Sequence, residues 1–73
     1  MELSQCNAEL SNYSDLIGQE LTHNSGLHFI LVLALTCQET KPNNHFIEVA
    51  YKLNGIGDNG TTSIGFILSN YRL

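Results

Sequence analysis

Leu27-His28-Phe29-Ile30-Leu31-Val32-Leu33-Ala34-Leu35 is the most continuously apolar stretch of the chain, and its placement decides the fold. It is about half as long as the roughly 20 residues a membrane-spanning helix needs, so it is read as buried protein core rather than as a span. Apolar side chains occupy both of its faces, so periodicity alone does not separate a buried strand from a Leu-rich helix. Its boundaries do. Gly26 precedes it and the turn-forming Lys41-Pro42-Asn43-Asn44 follows it, and Phe29, Ile30, Val32 and Thr36 favour extended backbone. A strand over about 27–37 is predicted.

The next segment is simpler. From His45 to Leu53 the residues Ile47, Val49, Tyr51 and Leu53 alternate with Glu48, Ala50 and Lys52, the period of a strand with one dry face. A glycine-rich connection, Asn54 to Gly60, leads to a third expected strand over about 61–71. Setting Tyr51 opposite Ile64, Val49 opposite Phe66 and Ile47 opposite Leu68 gathers the large residues on one face. The same logic sets Leu33 against Ile47, Leu31 against Val49 and Phe29 against Tyr51.

Upstream, Leu3, Cys6, Leu10, Tyr13, Ile17 and Leu21 fall at steps of three or four, the stripe of an amphipathic helix over about 3–21. Ser11-Asn12-Tyr13-Ser14 and Gly18 are weak helix formers and mark where that helix would break. About 20 helical residues span roughly 30 Å, close to the length of nine strand residues, so the helix fits over the sheet. The expected fold is α+β in a single domain, 1–73, with an N-terminal helix on a three-stranded antiparallel meander.

In this register a second sheet face is left without cover, and it carries Ile30, Val32, Ala34, Phe46 and Ile67. Left in water, each large residue would forgo about 1.5–3 kcal/mol of burial, a heavy loss for a domain this small. A homodimer joined through these residues is therefore expected.

Composition narrows the function classes. The formal charge is −4, with Lys41, Lys52 and Arg72 the only Lys or Arg, so the chain lacks the basic footprint of a nucleic-acid binder. Two cysteines, Cys6 and Cys37, are too few for a disulfide scaffold, and a single bridge between them is conceivable but not implied. The start, Met1-Glu2-Leu3-Ser4, lacks the basic and apolar blocks of a secretory leader. Reduced thiols, a cytoplasmic location and no membrane association are the expectation.

Gly55-Ile56-Gly57-Asp58-Asn59-Gly60 spells G-x-G-x-x-G, but a dinucleotide site needs a helix opening directly after the glycines, whereas the sequence here continues as a strand. It reads as a hairpin loop. His23, His28 and His45 lack the spacing of a zinc site and are not expected to converge. Cys37 has no histidine and carboxylate placed to activate it. No cofactor, metal or catalytic residue is expected, and the chain is read as non-enzymatic. Tyr71, beside Arg72, is an interface candidate.

Glu2, Glu9, Asp15 and Glu20 are expected to form a negative stripe on the helix that meets a basic groove on a partner protein. The leading functional expectation is a protein–protein interaction protein, an inhibitor or adaptor working through that acidic face or the exposed sheet. Small acidic chains of this kind are frequently encoded by viruses or mobile elements, which is an association and not a deduction. The alternative is a small-ligand module with its site at a dimer seam lined by His28, Ile30, Lys52 and Ile67.

Overall fold

The computed structural model describes every residue from Met1 to Leu73. In chain order the elements are α1 (Leu3–Asn12), a 3-10 turn (Ser14–Leu16), β1 (Glu20–His23), β2 (Phe29–Lys41), β3 (Asn44–Leu53), β4 (Asn59–Ser63), α2 (Ile64–Asn70) and β5 (Tyr71–Arg72). The strands make one antiparallel sheet in the order β4-β3-β2-β1-β5. Thus α+β holds, but the sheet has five strands, where a three-stranded meander was expected.

The apolar run forms the first part of β2, at the centre of the sheet, and it does not keep one alternation along its length. Val32 pairs with Tyr51, Ala34 pairs with the very next residue, Ala50, and Leu33 is left as the extra residue of a β-bulge. Side chains of a strand alternate between faces, so one extra residue resets the alternation. Ile30 and Val32 point into the core before the bulge and Leu35 and Cys37 after it. Opposite them Ile47 and Val49 project to the same side, and all of these except the half-buried Cys37 are buried.

This corrects the expected register. The core partners of Tyr51, Val49 and Ile47 are Val32, Leu35 and Cys37, not Phe29, Leu31 and Leu33. The tight turn and a second irregularity, between Glu39 and Lys41, together set the displacement. Lys41 pairs with Asn44, leaving Pro42 and Asn43 at the tip, where Pro42 has its φ fixed by its ring and Asn43 takes a φ of 63°.

At the N-terminus the helix ends at Asn12, not Leu21. Ser11 Oγ donates to the Ala8 carbonyl at 2.6 Å and Ser14 Oγ to the Ser11 carbonyl at 3.0 Å, side-chain bonds that compete with helix continuation. Gly18, at a φ of 85°, then turns the chain into β1. Leu21 becomes a strand residue, buried opposite Ile30.

The expected third strand is divided. Only β4 pairs with β3, and Ser63 then caps α2 by accepting the Phe66 N–H at 3.2 Å. Ile67 is buried on α2 and is not a strand residue. The chain returns as β5 to pair with β1. Within the glycine-rich connection, Asn54 and Gly55 adopt positive φ. Gly60 lies under Tyr51, where a Cβ would come within 2.7 Å of the ring. The connection joins two strands, as a hairpin loop does.

Both helices lie on one side of the sheet, α1 against β2 and β3 and α2 against β3 and β4. The buried core is Cys6, Leu21, Ile30, Val32, Leu35, Ile47, Val49 and Ile67. From α1 only Cys6 is fully buried, while Leu3 is half exposed. A covalent bond supplements that thin contact. Cys6 and Cys37 form a disulfide, with Cα atoms 6.2 Å apart, where free thiols were expected. Their 31-residue separation in the chain conceals a distance that only the packing of α1 across β2 creates.

Closing a loop of this length lowers the entropy of the unfolded chain by about 3–4 kcal/mol at 25 °C. Replacing both Cys6 and Cys37 with Ser is expected to cost that much, a large part of the roughly 4–11 kcal/mol typical of a domain this size. Urea midpoints of the two proteins check it, and equal midpoints would show that α1 is held by packing alone.

Candidate functional site

The face of the sheet away from the helices is built by the residues between the core positions. Its rows follow from the pairing. Thr22 lies beside Phe29; Glu20, Leu31, Lys52 and Asn59 form the next row, then Ala34, Ala50 and Thr61, then Thr36, Glu48 and Ser63, and last Gln38 and Phe46. Neither helix packs on it, and the β3–β4 connection meets it only at the end, where Gly55 lies beside the Phe29 ring. Phe29, Leu31, Ala34, Phe46 and Ala50 are partly exposed there and Leu33 is 37% exposed, forming an apolar band along β2 and β3.

An uncovered face therefore exists, but with other occupants than expected. Of the five interface candidates, Ala34 and Phe46 lie on it. Ile30, Val32 and Ile67 are buried under the protein's own helices, at 0%, 1% and 2% exposure, because the bulge and α2 carry them to the other side. The sequence signal for the true set was the polar–apolar alternation of β3, whose even residues Phe46, Glu48, Ala50 and Lys52 all lie outward. The proposed seam of His28, Ile30, Lys52 and Ile67 is not assembled either, since Lys52 faces outward while Ile30 and Ile67 are in the core.

The acidic residues do not form one stripe. Glu2 precedes α1, Glu9 lies within it, Asp15 sits in the 3-10 turn and Glu20 begins β1 on the outer face of the sheet. Early termination of the helix disperses them. All four are exposed and none has a cationic partner; the one ion pair within 4.0 Å joins Glu39 and His45, at 3.9 Å.

A second group of side chains was not foreseen. His23 at the end of β1 and His28 before β2 stack with ring centroids 4.6 Å apart, and Tyr71 of β5 packs edge-on to both. The β1–β2 turn folds the histidines together and the β1–β5 pairing brings Tyr71. Tyr71 Oη lies 2.9 Å from His28 Nε2. The Ser25 N–H donates to His23 Nδ1 at 3.0 Å, and Ser25 Oγ lies 2.8 Å from the same nitrogen. Nδ1 is thereby an acceptor and the neutral ring carries its proton on Nε2.

Chemically this is a clasp more than a catalytic group. Ser25 and His23 touch, but Ser25 Oγ also accepts the Leu27 N–H at 3.3 Å, as a turn hydroxyl does. No carboxylate orients the imidazole as in a hydrolytic triad. His45, the third histidine, lies at the opposite end of the sheet, beside a shallow depression lined by Glu2, Leu3, Ser4, Glu39 and Asn43. No three His, Cys, Asp or Glu side chains come together as metal ligands would. No helix is long and apolar enough to cross a membrane.

Comparison with known proteins adds no family: no family model, curated protein or solved structure matches the chain.

Burial raises the Tyr71 phenol above its ordinary value of 10.0, and nearby Tyr51 adds to the shift. The folded protein thus holds that proton more tightly than the unfolded chain does, so its contribution is complete below pH 10 and declines as pH rises toward the folded value. Tyr71→Phe is expected to cost about 1 kcal/mol at neutral pH through loss of the hydrogen bond to His28. It should also flatten the fall in stability above pH 10, which urea titrations on either side of that pH measure. An unchanged alkaline slope would show that Tyr71 does not carry it.

Proposed function

We propose that this chain is a non-enzymatic interaction protein that works by occupying the surface of another protein, as an inhibitor or adaptor does. One observation carries the reading: apolar side chains of Phe29, Leu31, Leu33, Ala34, Phe46 and Ala50 are spread along a sheet face against which neither helix packs. In a domain with eight buried residues, so much partly exposed apolar side chain is a poor use of the sequence unless a second surface covers it. Glu20 and Lys52 flank Leu31, as charged groups border protein interfaces generally, and the polar row of Thr36, Glu48 and Ser63 separates Ala50 from Phe46.

The net charge of −4 favours a basic partner surface. Glu2, Glu9 and Asp15 act at long range, raising the rate of encounter more than the strength of contact. Location enters the same reading. The cytoplasmic expectation, with reduced thiols, rested on a start that does not read as a secretory leader, and the Cys6–Cys37 bond supports an oxidising compartment instead.

Phe46→Glu places a charge at one end of the apolar band on this face while leaving the core untouched. Capture of a stoichiometric partner by the immobilised protein is expected to fall about tenfold or more, with the melting temperature unchanged. Capture that withstands both Phe46→Glu and Leu31→Glu would exclude the outer face as the contact.

A further inference from the structure

We propose that the outer face pairs with a second copy of itself, about a two-fold axis that runs parallel to the sheet, midway between the two copies, and crosses the strands at the Ala34–Ala50 row. The inference rests on the reading of that face as a contact surface: the second copy is its occupant in the isolated protein, and a different partner binding there displaces it. Its basis is the order of charges along β3. Glu48 and Lys52 both project outward, and Ala50 lies midway between them, paired with Ala34 on β2. A two-fold axis at Ala50 lays each copy's Lys52 over the other copy's Glu48, and so forms two equivalent ion pairs. Among axes that cross the strands, this one alone joins opposite charges of β3: an axis at the Glu48 row would set Glu48 against Glu48, and an axis at the Lys52 row would set Lys52 against Lys52.

Size and shape agree with the charges. The axis row carries the small side chains Ala34, Ala50 and Thr61, with Leu33 beside them in the bulge, and two sheets packed there lie at the usual spacing of about 10 Å. The aromatic residues stand toward the two ends, Phe29 in one direction and Phe46 in the other. The two-fold turns the Phe29 end of one copy toward the Phe46 end of the other, where aromatic side chains meet along the diagonal. The two longest dimensions of the molecule, 37 and 22 Å, bound the face at about 800 Å², the contribution of each partner to an interface of standard size. Such an interface is isologous, so it closes at two copies and grows no further.

The remaining charge on the face fits the same register. Glu20 flanks Leu31 on the side away from Lys52. In the paired arrangement it falls beyond the end of the facing β1, at the wet margin of the contact, where an unpaired carboxylate costs little. The five-residue β4 carries Asn59, Thr61 and Ser63 on the opposite margin, polar groups suited to a rim.

Charge exchange at the two positions decides the matter. Sedimentation equilibrium of the intact, oxidised chain across micromolar to millimolar concentration is expected to show a species of twice 8.1 kDa. Lys52→Glu alone, or Glu48→Lys alone, sets like charges face to face twice and should raise the dissociation constant about tenfold or more, whereas the double exchange restores it. Both positions are partly exposed on the sheet surface, and thermal melts of each variant establish that the fold is retained. A mass of 8.1 kDa throughout the range overturns the proposal, and so does a dimer whose affinity is indifferent to the exchanges. Either result leaves the broader reading of the face to be judged separately, by capture of a different partner and its loss in Phe46→Glu.

Discussion

The bulge at Leu33 is the constraint on which the rest of the architecture depends. β2 runs through the middle of the sheet and must supply the core on one side with large residues along its whole length. A regular strand through this sequence would keep Ile30, Val32 and Ala34 on one face and Leu31, Leu33 and Leu35 on the other. By inserting one residue, the chain buries Ile30 and Val32 from the first set, then Leu35 and Cys37 beyond the bulge, and leaves Leu31, Leu33 and Ala34 outside. The helix-side core and the outer apolar band are two results of the same local choice. It also brings Cys37 to the face on which α1 lies, without which the Cys6–Cys37 bond would have no geometry in which to form.

Much of this was legible in the sequence, and the failures have identifiable causes. β3 reads directly, because a strand with one dry face shows a strict alternation and its neighbours preserve it. The connection at 54–60 reads as a hairpin loop because Asn and Gly at its start tolerate positive φ. β2 could not be read to the same depth, since a run that is apolar on both faces contains no record of which side is inside. The turn fixes only the first pair: placing Pro42-Asn43 at the tip sets Lys41 against Asn44, and two irregularities, between Glu39 and Lys41 and between Val32 and Ala34, then shift the pairing.

The termini were misread for a related reason. Ile64, Phe66 and Leu68 alternate as a strand would, while Ile64 and Ile67 share the spacing of a helix, and Ser63 as a cap decides for the second. Leu21 continues the helical stripe from Leu3, yet Gly18 and the hydroxyl groups of Ser11 and Ser14 end the helix first. Local side-chain to backbone bonds, invisible to a count of apolar positions, overrode the periodicity in both places. The clasp of His23, His28 and Tyr71 lay beyond sequence reading altogether, because it depends on β5 returning to pair with β1 across 49 residues of chain.

The edges of the sheet have a consequence of their own. At one side stands β5, two residues long, and at the other β4, whose sequence Asn59-Gly60-Thr61-Thr62-Ser63 is short, polar and interrupted by glycine. Unpaired strand edges invite further strands, and a protein with an apolar sheet face would otherwise be at risk of stacking and extending at once, as fibrils do. Here extension along the hydrogen-bonding direction has little purchase. Stickiness is confined to one direction, normal to the sheet, in which a single layer of partner uses it up.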